Sequence, residues 1–374
     1  MMSSTDRSLE RLIADWDGEA LVSRHDRETD TWMFIGIHST RLGPACGGTR
    51  LRVYPTPADA VHDVLRLAEC MTLKCAVAGL PTGGGKAVLA VPALPVGETR
   101  RQVLLQYGRL IETLQGSYRT GPDMNTGAAD MDVLGEVTDY AFGRSPGRGG
   151  SGGSAPDTAV GVWHGIRASC AHAFGTSDLA GRTVLVQGAG GVGSALVELL
   201  VRDGAKVLVA DVAADRVRDL ERRHGVDPVD PAEVVGIACD VYAPCATGAA
   251  LTAATIPALR CAVVAGAANN QLGEPADAER LRVAGILYAP DFVINSGGAL
   301  HLIGTEMLGW DADTLAARVA GIGATLTEVY QHADEEGTTT EAAAEAIARA
   351  RLSGSAGAIK QPVAGLTQWA PSIP

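Results

Sequence analysis

Lys74 and Lys86 stand twelve residues apart in "MTLKCAVAGLPTGGGKAV", and Asp123 follows in "TGPDMNTG". Long cationic side chains ordinarily project into solvent. Two of them among glycines and apolar residues suggest another use. Converging on an enclosed pocket, each raises the cost of ionising the other. One of the pair then loses its proton near neutral pH and serves as a base, while the other holds a carboxylate ligand. The glycines before Lys86 invite a phosphate-loop reading, which fails on chemistry. Such a loop needs G-x-x-x-x-G-K-[ST]; here Leu80 stands where the first glycine belongs and Ala87 where the magnesium-binding hydroxyl belongs. Lys86 reads instead as an amine displayed by a glycine loop.

A second constellation lies further on. Gly188, Gly190 and Gly193 match G-x-G-x-x-G between the apolar run "TVLVQ" and the helix-like "SALVELLV". Gly188 permits a tight turn, Gly190 lets backbone approach a pyrophosphate, and Gly193 lets the helix pack on the strand. With Gly191 and Val192, the helix N-terminus offers amides and a positive dipole end to the anion. Asp211, eighteen residues past Gly193, can hydrogen-bond both ribose hydroxyls and would repel a 2′-phosphate. NAD is therefore favoured over NADP. A G-x-S-x-G at 149–153 has no strand leading into its serine, so a hydrolase nucleophile is set aside.

Elements must hold these groups in place. "WMFIGIH" (32–38) and "AVLAV" (87–91) read as strands, and apolar spacing predicts helices over 58–71, 100–114 and 128–142. "SPGRGGSGGSAP" (145–156) reads as a flexible hinge. Beyond it, strand, turn, helix and strand over 183–212, then apolar runs at 261–268 and 285–290, alternate as in a parallel sheet covered by helices. The chain turns helical from about 312 and ends in a tail, 353–374, that reads as frayed. The expected fold class is α/β, with a substrate domain over 1–150 and a Rossmann-type, doubly wound domain over 151–324.

Composition narrows the classes. A chain of 374 residues, 46% hydrophobic and 20% charged, can bury two full cores. Its net charge of −12 argues against a nucleic-acid or anionic-membrane binder. With no long apolar run and no signal segment, the cytoplasm is the expected compartment. Seven cysteines form no C-x-x-C and eight histidines no H-E-x-x-H, so free thiols and no metal are expected.

The stretches "GPACGGTR" (43–50), "MTLKCAVAGLPTGGGK" (71–86), "TGPDMNTGAADMD" (120–132), "YAPCATG" (242–248), "GAANNQL" (266–272) and "YAPDFVINSGG" (288–298) resemble the glutamate/leucine/phenylalanine/valine dehydrogenase family. They occur in family order from about 16 to 351. Through "TGPDMNT", "GRSPGRGG" and "NSGGALHLIG" the similarity is closest to actinobacterial-type phenylalanine dehydrogenases, with the valine and leucine enzymes as the alternative. The resemblance implies a cleft between the domains, helices at about 325–352 that return to the first domain, and a homo-oligomer. It implies that Lys74 binds the substrate carboxylate with Asn270 and the backbone around Gly47 and Gly48. Lys86 would activate water as general base, with Asp123 as its proton-shuttling partner. Thr158, Asn269 and the backbone near Cys245 and Ala246 would hold the nicotinamide half of NAD. Cys46, Ala299 and Leu302 would line the side-chain pocket, Cys46 being small enough to admit a phenyl ring. The implied reaction is oxidative deamination of an L-amino acid, phenylalanine by preference, to its 2-oxo acid and ammonia. A catalytically idle NAD-binding relative is the distant alternative.

Overall fold

The structure, a computed structural model, describes residues 9–246 and 248–354. The tail expected over 353–374 thus lies almost wholly outside the described residues.

In the first layer a short helix α1 (Leu9–Asp15) precedes strands β1 (Ala20–Asp26), β2 (Thr31–Ser39) and β3 (Ala45–Arg52). Helix α2 (Pro57–Val77), strand β4 (Gly83–Ala90), helix α3 (Gly97–Glu112), strand β5 (Tyr118–Pro122) and helix α4 (Ala128–Leu134) follow. The sheet runs β1-β2-β4-β3-β5, with β4, β3 and β5 mutually parallel and the other pairs antiparallel. Alternation along β2 sends Phe34 to one face, against Val61, Val64 and Leu65 of α2. Met33, Ile35 and Ile37 go to the other, against Leu104 and Tyr107 of α3 and Met131 of α4. Both faces are covered, so β2 is apolar almost throughout.

Three local outcomes differ from the sequence reading. The glycines before Lys86 form a strand and no loop: Gly83–Gly85 begin β4. A β-carbon on Gly84 would lie 2.0 Å from the backbone nitrogen of Thr72, so α2 presses directly on the strand where only glycine fits. Helix α2 itself runs past 71 to Val77, begun by Pro57 and a Thr56–Asp59 capping box, which places Lys74 on its last turn. The helix expected over 128–142 stops at Leu134, because the following chain turns to pair with β5 through a Thr120–Ala141 bridge.

The second layer is a six-stranded parallel sheet, β11-β10-β9-β6-β7-β8. Its strands are β6 (Thr183–Gln187), β7 (Lys206–Ala210), β8 (Asp227–Pro228), β9 (Val241–Pro244), β10 (Val263–Val264) and β11 (Leu287–Tyr288). Helices α5 (Ala155–Phe174), α6 (Gly191–Arg202), α7 (Ala214–His224) and α8 (Ala276–Val283) cover it, with α9 (Asp291–Ile294) and α10 (Gly297–Glu306) beside the cleft. Strand order reverses between β6 and β9, the switch point at which doubly wound sheets bind ligands. The apolar runs at 261–268 and 285–290 contribute only two strand residues each.

Helix α11 (Ala312–Glu336) packs on α5, and α12 (Thr340–Leu352) crosses back to α2. There Arg351 donates to the Val77 carbonyl, and Arg349 lies 3.8 Å from Glu69. The segment expected to be a flexible hinge is tied down. The Glu306 carboxylate accepts from the amides of Gly143 (2.9 Å) and Ser151 (2.8 Å) and from the Ser151 hydroxyl. Among the described residues no helix is long and apolar enough to cross a membrane.

Candidate active site

The parallel pairing of β4, β3 and β5 brings together three groups distant in sequence. Lys86 on β4 places Nζ 3.1 Å from Oδ1 of Asp123, just past β5. Arg50 on β3 places Nε 3.0 Å from Oδ2 of the same carboxylate. Arg50 also bonds Asp63 (3.0 Å), which accepts from the Tyr54 hydroxyl at 2.6 Å. Burial pushes the Asp123 carboxyl up, but the charges of Lys86 and Arg50 outweigh it and hold Asp123 well below the usual carboxylate range. Asp123 is thus ionised and sits between Lys86 and Arg50.

Gly47 and Gly48 line the same cleft, and the structure gives both a packing role. A β-carbon on Gly47 would lie 1.7 Å from the Gly85 carbonyl oxygen; one on Gly48 would lie 2.7 Å from that of Pro122. The strands close up only because no side chain intervenes. Helix α2 approaches from the other side with Lys74, whose Nζ donates to Asn269 Oδ1 at 3.0 Å. Asn295 Nδ2 donates to that same oxygen at 3.0 Å. Asn270, expected as the partner of Lys74, lines the cleft beside it in a left-handed conformation, φ 52°. The side-chain contact with Lys74 belongs to Asn269 instead.

Burial lowers the pKa of Lys74, opposed by the charge of Asp291 and reinforced by that of Lys86. Asp291 opens α9 and accepts from the Gln271 amide at 2.8 Å. Burial pushes the Asp291 carboxyl up, and burial with the charge of Asp291 pushes Glu341 on α12 well up. Asp291 stands beside Lys74 and Glu341 beside Asp291, and the sequence reading had missed both. Arg50 was missed as well, although it closes the quoted "GGTR".

Across the cleft, the glycines of the turn differ in their surroundings. Gly188 has φ 110°, and a β-carbon on Gly193 would lie 1.9 Å from the Gly188 carbonyl oxygen. At Gly190 a β-carbon meets nothing within 4 Å, so that glycine relieves no protein contact and leaves room for an approaching ligand. Gly191 opens α6, and Val192 faces the cleft. Asp211 accepts from the amides of Ala189 (2.6 Å) and Ala213 (2.7 Å), which fixes its carboxylate at the end of β7. Cys245 and Ala246 pack against Gly188 on the other side of the turn. These features suit a dinucleotide: a free turn, a helix N-terminus and an oriented acid.

Thr158 lines the cleft where its hydroxyl donates to the Ser154 carbonyl at 2.9 Å. Ala299, Leu302, Ile303 and Phe142 form the apolar end. Cys46 does not belong there. It is fully buried beneath the cleft wall, with Sγ 3.6 Å from Met307 Sδ, and burial pushes its thiol up. It shares a strand face with Gly48 and packs in one apolar cluster with Phe142 and Leu302, one layer behind the cleft lining. A leucine at position 46 would overpack that core and press on the residues that line the apolar end of the cleft.

Known proteins match the same organisation. The family model described as Glu/Leu/Phe/Val dehydrogenase, dimerisation domain, matches residues 23–140, and that of glutamate/leucine/phenylalanine/valine dehydrogenase matches 209–356. A leucine dehydrogenase of Bacillus cereus is 40% identical, over 91% of this chain and 92% of its own. A valine dehydrogenase of Streptomyces albus is 43% identical, over 89% of this chain and 92% of its own. Among solved structures, L-tryptophan dehydrogenase from Nostoc punctiforme superposes with a TM-score of 0.79 at 35% identity, covering 93% of this chain and 99% of the other.

Proposed function

The chain belongs to the glutamate/leucine/phenylalanine/valine dehydrogenase family, and on that premise we propose that it catalyses NAD-dependent, reversible oxidative deamination of a branched-chain L-amino acid. The carrying observation is the Lys86–Asp123 ion pair, 3.1 Å long, in a cleft that Lys74 and Val192 of the dinucleotide turn also line. When bound, NAD⁺ supplies the hydride acceptor. Lys74, with the Gly47–Gly48 backbone and the neighbouring asparagines, holds the substrate carboxylate. Loss of hydride from Cα leaves an iminium. Lys86 takes a proton from the water that attacks it, and Asp123 passes protons between Lys86 and the departing ammonia. The same groups run reductive amination in reverse. The chain is expected to act in the cytoplasm as a homo-oligomer built through residues 23–140.

An aliphatic substrate is favoured by the leucine and valine dehydrogenase relatives and by Phe142, Leu302 and Ile303 closing the apolar end. The aromatic reading, phenylalanine or tryptophan, draws on the tryptophan dehydrogenase likeness and on the small Ala299. Initial rates of NADH formation across leucine, valine, isoleucine, phenylalanine and tryptophan decide between them. One methylene in such a slot is worth about 1–3 kcal/mol, so the preferred aliphatic substrate should lead in kcat/KM by roughly tenfold or more. A higher kcat/KM for phenylalanine or tryptophan overturns the aliphatic reading. No turnover of any of them overturns the reaction itself.

Cofactor choice rests on Asp211. Wild type should prefer NAD⁺ to NADP⁺, and Asp211→Ala should narrow the gap by lifting repulsion from a 2′-phosphate near Arg216. Equal kcat/KM for both cofactors in wild type would defeat this assignment.

A further inference from the structure

Cys239 and Cys261 take no part in the chemistry above. The parallel pairing of β9 with β10 sets Val263 opposite Val241 and Val264 opposite Tyr242. The Ala238–Arg260 bridge upstream keeps the same offset, which places Cys261 directly opposite Cys239. The Cys239 amide donates to the Arg260 carbonyl at 3.1 Å, so the register holds at this position. Opposed residues on neighbouring parallel strands point to the same face, about 4.8 Å apart. That separation lies within the Cα–Cα range of about 4.4–6.8 Å that a disulfide spans.

Facing each other across the two strands, both thiols are partly solvent-exposed. The Cys239 thiol and the amides of Tyr242 and Val263 lower the pKa of Cys261, while Cys239 is pushed up. Two accessible thiols thus face each other, one beside a potential resolving partner, as redox-sensitive cysteines commonly are. Cys46 and Cys75 are also close to one another, but both are fully buried, and burial pushes both thiols up.

We propose that Cys239 and Cys261 form a peroxide-oxidisable dithiol, a modification site at the entry ends of β9 and β10. The Cys261 thiolate attacks one peroxide oxygen, the O–O bond breaks, and hydroxide leaves, giving a sulfenic acid. The Cys239 sulfur then displaces its oxygen, its own proton leaving with the departing water. Two thiols and one hydrogen peroxide become one disulfide and two waters. The crosslink joins the two strands that lead into the Cys245 and Asn269 segments of the cleft.

The test treats reduced, full-length protein with hydrogen peroxide, caps free thiols and maps tryptic peptides by mass spectrometry. Wild type should lose two free thiols per chain and gain a link between peptide 224–260 and the peptide that starts at Cys261. Cys245 shares the first peptide, so Cys245→Ser is run alongside. The link should persist in Cys245→Ser and vanish in Cys239→Ser, where dimedone should label Cys261. Both cysteines remaining free in peroxide-treated wild type overturns the proposal, as does a link that vanishes only in Cys245→Ser. Stronger dimedone labelling of Cys239 in Cys261→Ser overturns the order of attack. These readouts do not depend on turnover, so they stand apart from the proposed reaction.

Discussion

Lys86→Ala is expected to lower kcat by about 10²–10⁴-fold, the range that loss of a positioned acid–base group commonly produces. The cleft should survive the change. Asp123 keeps Arg50 at 3.0 Å, so removing the lysine does not leave a buried carboxylate without a cation. The cofactor contacts proposed at Gly188–Gly193 and Asp211 lie on the other sheet, so the Kd for NADH should stay within about threefold of wild type. Fluorescence titration of NADH and steady-state rates of deamination separate the two effects. Substrate binding by Lys74 is also left in place, so KM should move far less than kcat. A variant that keeps more than about a tenth of the wild-type kcat would remove Lys86 from the role of base.

What the sequence made legible follows from how chemistry is encoded. Lys74, Lys86 and Asp123 could be singled out because lysines flanked by glycines and apolar residues are costly unless used. The turn at Gly188–Gly193 was legible because strand, glycines and helix are local, and the space left at Gly190 agrees with the role its spacing suggests. Arg50 was not, because an arginine after two glycines and a threonine reads as surface. Only the β4-β3-β5 order reveals it as the second cation on Asp123. Asp291 and Glu341 escaped for a related reason: the return of α12 brings Glu341 against Asp291, and only the fold brings Asp291 to Lys74. Cys46 was placed one layer too far forward, because family position names a neighbourhood and not which of its side chains reach the cavity. The glycines before Lys86 were read as a loop, although close packing of α2 makes them a strand.

The two lysines remain to be told apart by experiment, and Lys74→Ala does so. With Lys74 as the carboxylate's cation, its removal should lower kcat/KM by about 10²–10³-fold, mostly through KM, since losing one partner of a buried charged pair costs about 2–5 kcal/mol. The pH profile carries the sign. Burial, aided by Lys86, lowers the pKa of Lys74, with Asp291 opposing. Raising the pH through that value strips the charge that holds the substrate, so kcat/KM should fall on the alkaline side, at a pH below that of an ordinary lysine. Bound substrate brings its own carboxylate, which favours the charged amine, so the corresponding fall in kcat should lie at higher pH. In Lys74→Ala the alkaline fall assigned to this group should disappear from kcat/KM. The electrostatics leave one rival arrangement: an amine with a lowered pKa is also what a general base requires, and here that amine is Lys74. If Lys74 were the base, Lys74→Ala would lose kcat by about 10³-fold with KM little changed, and Lys86→Ala would lose binding. That outcome would exchange the two lysines and leave the reaction as proposed.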